Sequence, residues 1–215
     1  MKAVIIIGTG PSLGYALAET FGRQGFHVAM LARSEHNLND FQEKLQAEGI
    51  SSSKHPIDIA DFTAMRLTLS DIARQYPVEV LIYNAVVKQL IPPLELDVEI
   101  MVKNYRVDVA GALHAVQIIL PFMQEQESGT ILFTGGGAAL TPWTEAPTIT
   151  IAKAGIRSLA FMLSEQLENT SIKVGTVTIH GSIRPNTAFA PERIAEAYHQ
   201  FYKNATKGIE LTYKG

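Results

Sequence analysis

The sequence contains no cysteine among its 215 residues. This absence excludes a disulfide framework, thiolate metal sites and cysteine nucleophiles. The six histidines have no paired spacing of the kind that ligates zinc, so we expect no metal site.

An excess of charge of either sign is also missing. Lys and Arg number 18 against 21 Asp and Glu, which gives a net charge of −3, and no basic run occurs. We therefore expect no nucleic-acid partner. The apolar run near the N-terminus is only about six residues long, too short for a signal peptide or a membrane-spanning helix. These features predict a cytoplasmic protein with no membrane partner.

What the chain does have is the composition of a globular protein. Hydrophobic residues make up 47% and charged residues 18%, and the length allows a sizeable core. No linker rich in Gly, Pro or Ser divides the sequence. We therefore expect one domain over residues 1–215.

Strand-like and helix-like segments alternate along this domain. The alternation predicts an α/β fold, a doubly wound, Rossmann-like parallel sheet of about seven strands flanked by helices. The predicted strands cover residues 2–7, 26–32, 51–57, 78–83, 130–134, 172–179 and 209–213. The predicted helices cover residues 15–21, 35–48, 61–76, 98–126, 148–168 and 191–204. Ligands of such sheets bind outside the carboxyl ends of the strands.

A glycine-rich turn, Gly8 to Gly14, lies between the first strand and the first helix. Glycines let backbone N–H groups approach a pyrophosphate closely, and the N-terminus of a helix favours its negative charge. Because the required strand precedes the turn and the required helix follows it, the pattern predicts dinucleotide binding.

The end of the second predicted strand indicates which dinucleotide is bound. An acidic residue there would bond the adenosine ribose hydroxyls, whereas a nearby arginine accommodates a 2′-phosphate. The chain has the neutral Ala32, followed by Arg33 and Ser34. A guanidinium suits a phosphate as a bidentate partner, so we predict NADP, with NAD the less favoured alternative. The remaining alternative for Arg33 is an ordinary solvated residue.

The order of these motifs resembles the short-chain dehydrogenase/reductase family over nearly the whole chain. Gly8 and Gly14 match the outer glycines of that family's turn, while Ser12 stands at its middle glycine. Asn84 and Ala85 match the centre of the family's Asn-Asn-Ala-Gly motif. The resemblance adds Asp58 for adenine, Lys153 for the ribose and Ile183 facing the nicotinamide amide. Together with the glycine turn and with Arg33 and Ser34, this makes thirteen predicted cofactor residues. They are Gly8, Gly10, Ser12, Leu13, Gly14, Arg33, Ser34, Asp58, Ile59, Asn84, Ala85, Lys153 and Ile183.

The same resemblance identifies a departure at the catalytic positions. In the family a tyrosine exchanges the proton, a lysine lowers the pKa of that tyrosine, a serine polarises the carbonyl and an asparagine supports a water chain. This chain has Ile149 at the tyrosine position, Gly136 at the serine position and Asp108 at the asparagine position. Only Lys153 is retained. Our catalytic candidates are Lys153, Asp108 and Thr148, and further candidate proton donors are Thr150, Thr134, His180 and Tyr83.

Three functions remain open at this point. The first is an oxidoreductase with rearranged catalytic groups that acts on a small carbonyl or alcohol. The second is an inactive NADP-binding pseudoenzyme with a regulatory or assembly role. The third is an assembly component, since the resemblance implies a homodimer or homotetramer paired through the two long helices, with Leu113, Ile118, Leu159, Phe161 and Met162 as candidate contacts.

One segment and one further residue indicate what kind of substrate the site admits. The segment after Ile183 forms a lid in the family, and here only residues 184–190 intervene before the last predicted helix. So short a lid favours an open site or a small substrate. Trp143, in the loop after the fifth strand, lines the pocket or simply packs against the core.

Overall fold

The computed structural model describes residues 1–204 and 208–215. The strands are β1 (Ala3–Ile7), β2 (His27–Ala32), β3 (Ser52–Pro56), β4 (Val78–Tyr83), β5 (Gly129–Gly136), β6 (Ile172–Ile179) and β7 (Glu210–Tyr213). The α-helices are α1 (Leu13–Gly22), α2 (Glu35–Ala47), α3 (Phe62–Gln75), α4 (Val98–Tyr105), α5 (Gly111–Glu125), α6 (Pro147–Gln166) and α7 (Pro191–Lys203).

The seven strands form one parallel sheet in the order β3-β2-β1-β4-β5-β6-β7. The order reverses between β1 and β4, so the carboxyl ends of these strands border the crevice at which doubly wound sheets bind ligands. The predicted Rossmann-like fold with about seven strands is confirmed.

The side chains of β1 alternate between two cores, one on each face of the sheet. Ile5 and Ile7 pack into the core under α3, α5 and α6, whereas Val4 and Ile6 pack into the core under α1, α2 and α7. All five residues of β1 are fully buried. This explains why the strand reads as an unbroken apolar run, since helices cover both of its faces.

The long helix predicted over residues 98–126 is interrupted. Residues Arg106–Ala110 form a π-helical turn between α4 and α5. The Tyr83 hydroxyl donates to the Val107 carbonyl within this turn, and a Cβ at Gly111 would lie 2.5 Å from that hydroxyl. Glycine at position 111 therefore gives the phenol room to reach the wider turn. Such turns are frequent at functional sites.

The same stretch, Val98–Glu125, is long and apolar enough to cross a membrane by length and composition. Of its most apolar window, 56% is buried inside the fold. Val116 and Ile119 of α5, for example, pack in the core against the sheet. Packing of this segment against the rest of the fold thus accounts for many of its apolar residues.

Candidate active site

Two cavities adjoin at the carboxyl ends of the strands. The first, of about 670 Å³, is lined by Lys153 and is called the lysine cavity below. The second, of about 650 Å³, is lined by Arg33 and is called the arginine cavity. Gly10, Asn84 and Val86 line both cavities, which makes them one continuous crevice along the sheet edge.

All thirteen residues that the sequence assigns to the cofactor line this crevice. The arginine cavity receives Gly8, Gly10, Arg33, Ser34, Asp58, Ile59, Asn84 and Ala85. The lysine cavity receives Gly10, Ser12, Leu13, Gly14, Asn84, Lys153 and Ile183. Residues up to 175 positions apart are brought together, while their contact with a cofactor stays a prediction.

The glycine turn is shaped by close backbone approaches. Gly8 has φ +92°, and a Cβ there would lie 2.5 Å from the Ala85 nitrogen. A Cβ at Gly14 would lie 2.7 Å from the Gly8 carbonyl oxygen, whereas Gly10 has open space around it. Ser12, at the N-cap of α1, does not cap the helix with its side chain. The first turn of α1 lines the crevice through Leu13 and Gly14, and no Ser12 side-chain bond caps it.

The arginine cavity ends at the N-terminus of α2. Arg33 is exposed, and the Ser34 hydroxyl accepts a hydrogen bond of 3.3 Å from the Asn37 N–H. Asn37 also lines the cavity, although no motif in the sequence points to it. Asp58 also lines this cavity, and its Oδ1 accepts a hydrogen bond of 3.0 Å from the Ala60 N–H.

Lys153 lies at the floor of the lysine cavity, only 8% exposed. Its Nζ donates to the Thr134 carbonyl oxygen at 2.6 Å. Burial lowers the pKa of Lys153 to about 8, and the negative charge of Asp108 opposes this shift. A lysine with such a pKa exchanges protons near neutral pH.

Asp108 is buried inside the π-helical turn rather than solvated. Its Oδ1 accepts a hydrogen bond of 2.7 Å from the Val87 N–H. Its Oδ2 is buried and has no hydrogen-bond partner in the described part of the chain. Burial raises the pKa of Asp108 to about 6, against the lowering effects of the Val87 N–H and Lys153. The charges of Asp108 and Lys153 affect each other's pKa, yet Asp108 does not line the lysine cavity.

The other candidate proton donors occupy different surroundings. Thr148 is buried outside the cavity lining, with no partner for its hydroxyl among the described residues. Thr150 bonds the Trp143 backbone, and Tyr83 donates away from the cavity to the Val107 carbonyl. His180 lines the lysine cavity with its ring against Gly137. The geometry thus favours His180 over Tyr83 and Thr150, whose hydroxyls are engaged elsewhere.

Ile149 and Gly136 both line the lysine cavity with Lys153. Ile149 lies one helical turn before the lysine on α6, because residues four apart share a helix face. A Cβ at Gly136 would lie 3.3 Å from Lys153 Cγ. At these two positions the cavity wall is therefore formed by the aliphatic side chain of Ile149 and by the backbone of Gly136.

A chain of hydrogen bonds behind this wall is not evident from the sequence. The hydroxyl of Tyr198 donates to Thr134 Oγ1 at 2.8 Å, and Thr134 Oγ1 donates to Asn84 Oδ1 at 2.9 Å. Asn84 Nδ2 then donates to the Gly8 carbonyl at 2.8 Å. Because Tyr198 supplies a proton to Thr134, the Thr134 hydroxyl turns its own proton to Asn84, and this fixes the orientation of the Asn84 amide. Tyr198 on α7 reads in the sequence as an ordinary apolar core position.

Among residues 1–204 and 208–215, no three His, Asp or Glu side chains gather in a way that could hold a metal ion. The polar features of the crevice are its glycine turn, the cations Arg33 and Lys153, and the hydrogen bonds that run from Tyr198 to Gly8.

A family model for short chain dehydrogenases matches residues 2–189 of the chain. The chain belongs to the short-chain dehydrogenase family. The match includes the glycine turn, Lys153 and Ile183, so it covers nearly all of the crevice.

Two relatives in this family are similar at modest identity. A short chain dehydrogenase of Pseudocercospora fijiensis is 26% identical over 174 residues, which are 80% of this chain and 56% of that protein. The 2,3-dihydro-2,3-dihydroxybenzoate dehydrogenase of Bacillus subtilis is 27% identical over 180 residues, 82% of this chain and 68% of that one. The matched stretch thus spans little more than half the length of the first relative.

Solved structures of the family share the fold over their full length. A short-chain dehydrogenase from Rhodopseudomonas palustris has a TM-score of 0.90 at 23% identity, covering 100% of this chain and 98% of that chain. A metagenomic short-chain oxidoreductase in complex with NADP has a TM-score of 0.88 at 20% identity, covering 98% and 95%. The short-chain dehydrogenase fold is therefore shared throughout.

In this short-chain dehydrogenase, Asp108→Asn should raise stability above pH 6. An acid whose pKa is higher in the folded than in the unfolded state makes the folded state bind more protons between about pH 4 and 6. Wild-type stability therefore falls as pH rises through that window, and the full penalty is present above it. The amide avoids the penalty, so we expect a gain of about 2–3 kcal/mol at pH 8 and about 1 kcal/mol or less at pH 4.5.

Urea unfolding of both proteins at the two pH values measures this difference. Equal stability at pH 8, or a gain as large at pH 4.5, would show that the carboxylate is not disfavoured by burial. Glu43→Gln, at an exposed position in the middle of α2, is the matched control and should change neither value.

Tyr198→Phe should loosen the glycine turn through Thr134 and Asn84. We expect a loss of about 1–2 kcal/mol in unfolding free energy, since a buried hydroxyl loses its donor. We also expect dinucleotide affinity to fall by about three- to tenfold, because the Asn84 amide that faces Gly8 is no longer oriented. Fluorescence titration with NADPH and urea unfolding give the two quantities.

The same helix offers a matched control in Tyr202→Phe. The Tyr202 hydroxyl donates to Glu79 at 3.3 Å, away from both cavities. This variant should leave NADPH affinity unchanged. If Tyr198→Phe lowers stability alone, with no change in affinity, Tyr198 is a packing residue only.

Proposed function

We propose that the chain binds NADP(H) and transfers hydride between the cofactor and a small carbonyl or alcohol substrate. Family membership supports an oxidoreductase with a dinucleotide. Two solved structures of similar fold contain the phosphorylated cofactor, namely the metagenomic oxidoreductase with NADP and an actinorhodin polyketide ketoreductase with NADPH. Arg33 supports the same choice from within this chain, because its neighbour Ala32 offers no carboxylate to the ribose.

The continuous crevice is the observation that carries the proposal. Its arginine cavity has a cation and a helix N-terminus for an adenosine 2′-phosphate. The glycine turn in the middle suits a pyrophosphate, and Lys153 lies at the far end for the nicotinamide ribose. Spaces and charges therefore follow the order of groups in a dinucleotide.

The nicotinamide ring, when bound, supplies or accepts the hydride. Lys153 would hold the ribose with the ammonium donors that its bond to the Thr134 carbonyl leaves available. Its pKa of about 8 also allows it to pass a proton to or from an ordered water. Asp108 is a positioning residue in this scheme, since its charge opposes the loss of the Lys153 proton.

The inactive NADP-binding pseudoenzyme is the second candidate. The observation that favours it is the wall formed by Ile149 and Gly136, where neither side chain can give a proton or polarise a carbonyl. On this alternative the crevice binds the dinucleotide for a regulatory or assembly role.

One experiment separates the two candidates. NADPH and NADH are titrated by nucleotide fluorescence, and aldehydes, ketones and quinones are then screened for oxidation of NADPH. Tighter binding of NADPH with turnover above roughly 1 s⁻¹ supports the enzyme, since this is the usual range. Tight binding without turnover supports the pseudoenzyme, and equal affinities for both dinucleotides would remove the preference for NADP.

A homodimer or homotetramer is part of the proposal as well. Large apolar side chains are exposed on α4, α5 and α6: Val98, Val102, Tyr105, Leu113, Ile151 and Met162. Of the contacts predicted from the sequence, Leu113 and Met162 are exposed, whereas Ile118 and Leu159 are buried in the core. Analytical ultracentrifugation tests the assembly, and a monomer at micromolar concentration would reject it. One domain and a cytoplasmic location stay predictions.

A further inference from the structure

We propose that the lysine cavity takes an uncharged, planar aromatic carbonyl compound that packs against Trp143. The inference rests on the proposed function, because the lysine cavity is where the nicotinamide and the substrate would meet. It goes further by naming the chemical class of the substrate.

The charges around the lysine cavity argue against an ionised substrate. Among its lining residues, Lys153 is the only charged side chain and His180 the only other titratable one. Lys153 lies at the floor, bonded to the Thr134 carbonyl. The lining also includes the exposed residues Val86 and Trp143, and this solvent-facing part is called the mouth below. A carboxylate at the mouth would lose hydration without gaining a cationic partner there.

Trp143 is held in place at this mouth by its backbone. The Thr150 hydroxyl accepts a hydrogen bond from the Trp143 N–H at 3.0 Å and donates to the Trp143 carbonyl at 3.2 Å. The Ala146 N–H donates to the same carbonyl at 3.1 Å. The side chain nevertheless remains 42% exposed and lines the cavity. An uncovered indole on a backbone held in this way is a surface for an aromatic ligand, which it binds more tightly than an aliphatic one of equal area.

Another part of the lining presents mainly backbone and carbon to a ligand. Gly135, Gly136 and Gly137 contribute backbone only, and Ala138 contributes a single methyl group. Ile149 adds an aliphatic side chain near Lys153. An apolar ring suits this part of the lining, because carbon and backbone predominate there and Lys153 is the one charged side chain of the cavity lining.

The test compares three ketones of similar size by calorimetry on the NADP⁺ complex, in which a ketone cannot be reduced. They are acetophenone, cyclohexyl methyl ketone and 4-acetylbenzoate. We expect acetophenone to bind about two- to tenfold more tightly than the cyclohexyl ketone. We expect 4-acetylbenzoate to bind at least about tenfold more weakly than acetophenone.

Variants show whether Trp143 is responsible. Trp143→Ala should abolish the preference for acetophenone, and Trp143→Phe should keep most of it. Leu67→Ala removes an exposed side chain from α3, outside the cavity lining, and is the matched control. Because Trp143 is the only tryptophan of the chain, quenching of protein fluorescence by the ligand gives a second readout in the wild type.

Equal or tighter binding of 4-acetylbenzoate would overturn the proposal, as would an unchanged preference in Trp143→Ala. Failure of all three ketones to bind the NADP⁺ complex would also overturn it, while leaving cofactor binding intact. If neither dinucleotide binds, the proposed function fails. The ketones are then titrated into the free protein, where the same ranking and the same variants decide the matter.

Discussion

Replacing Ile149 with tyrosine and Gly136 with serine should raise the rate of carbonyl reduction by NADPH about 10²–10⁴-fold, the usual contribution of a positioned general acid. Both positions line the lysine cavity with Lys153, so the new hydroxyls would enter the space where the carbonyl must lie. The nearby lysine cation would lower the pKa of the introduced tyrosine toward the operating pH.

The local structure can accept both substitutions. A Cβ at Gly136 would lie 3.3 Å from Lys153 Cγ, and that flexible side chain can move by a few tenths of an ångström. The backbone at Gly136 is extended, with φ −164°, so a serine is not strained there. Ile149 is only partly buried, which leaves room for a ring.

Steady-state oxidation of NADPH with a panel of ketones measures the gain. The matched control is Ile149→Phe with Gly136→Ser, which adds the ring without the hydroxyl and should give little increase. If the tyrosine variant folds, binds NADPH and is no faster than this control, the cavity does not align a carbonyl with the cofactor. If the wild type is already as fast as the tyrosine variant, another group supplies the proton.

Arg33→Ala should weaken NADPH binding by about 10–100-fold and leave NADH binding unchanged. A hydrogen bond to a charged group contributes about 1.5–3 kcal/mol, which is roughly 10–100-fold in affinity. The guanidinium can bond a phosphate through two such bonds, but solvent around the exposed Arg33 weakens both. Arg33 is exposed at the end of β2, so the effect should shrink as ionic strength rises.

Fluorescence titration at low and at physiological ionic strength measures both constants. Arg66→Ala, at an exposed position on α3 outside both cavities, removes an equal charge and should leave both affinities unchanged. An unchanged ratio of NADPH to NADH affinity in Arg33→Ala would show that the guanidinium does not contact the 2′-phosphate. The choice of cofactor would then depend on other groups at the N-terminus of α2.

The sequence by itself determined the sheet, the order of its elements and a large part of the lining of the crevice. These features depend on neighbours along the chain. An apolar run covered on both faces predicts a buried strand such as β1, and a glycine turn between strand and helix predicts an anion site. Parallel strands place their carboxyl ends at one edge, so motifs that follow β1, β2, β4 and β6 meet without further information.

Only the tertiary structure decided how the catalytic candidates are surrounded. The sequence names Asp108 as a catalytic candidate without showing its surroundings. In the structure it is buried in the π-helical turn, where it accepts the Val87 N–H, and burial raises its pKa. Tyr198 meets Thr134 across 64 positions of the chain. Which polar atoms find partners in the interior depends on packing between distant segments, and no local pattern encodes it. The same holds for Trp143, because Thr150 fixes its backbone while its indole stays uncovered.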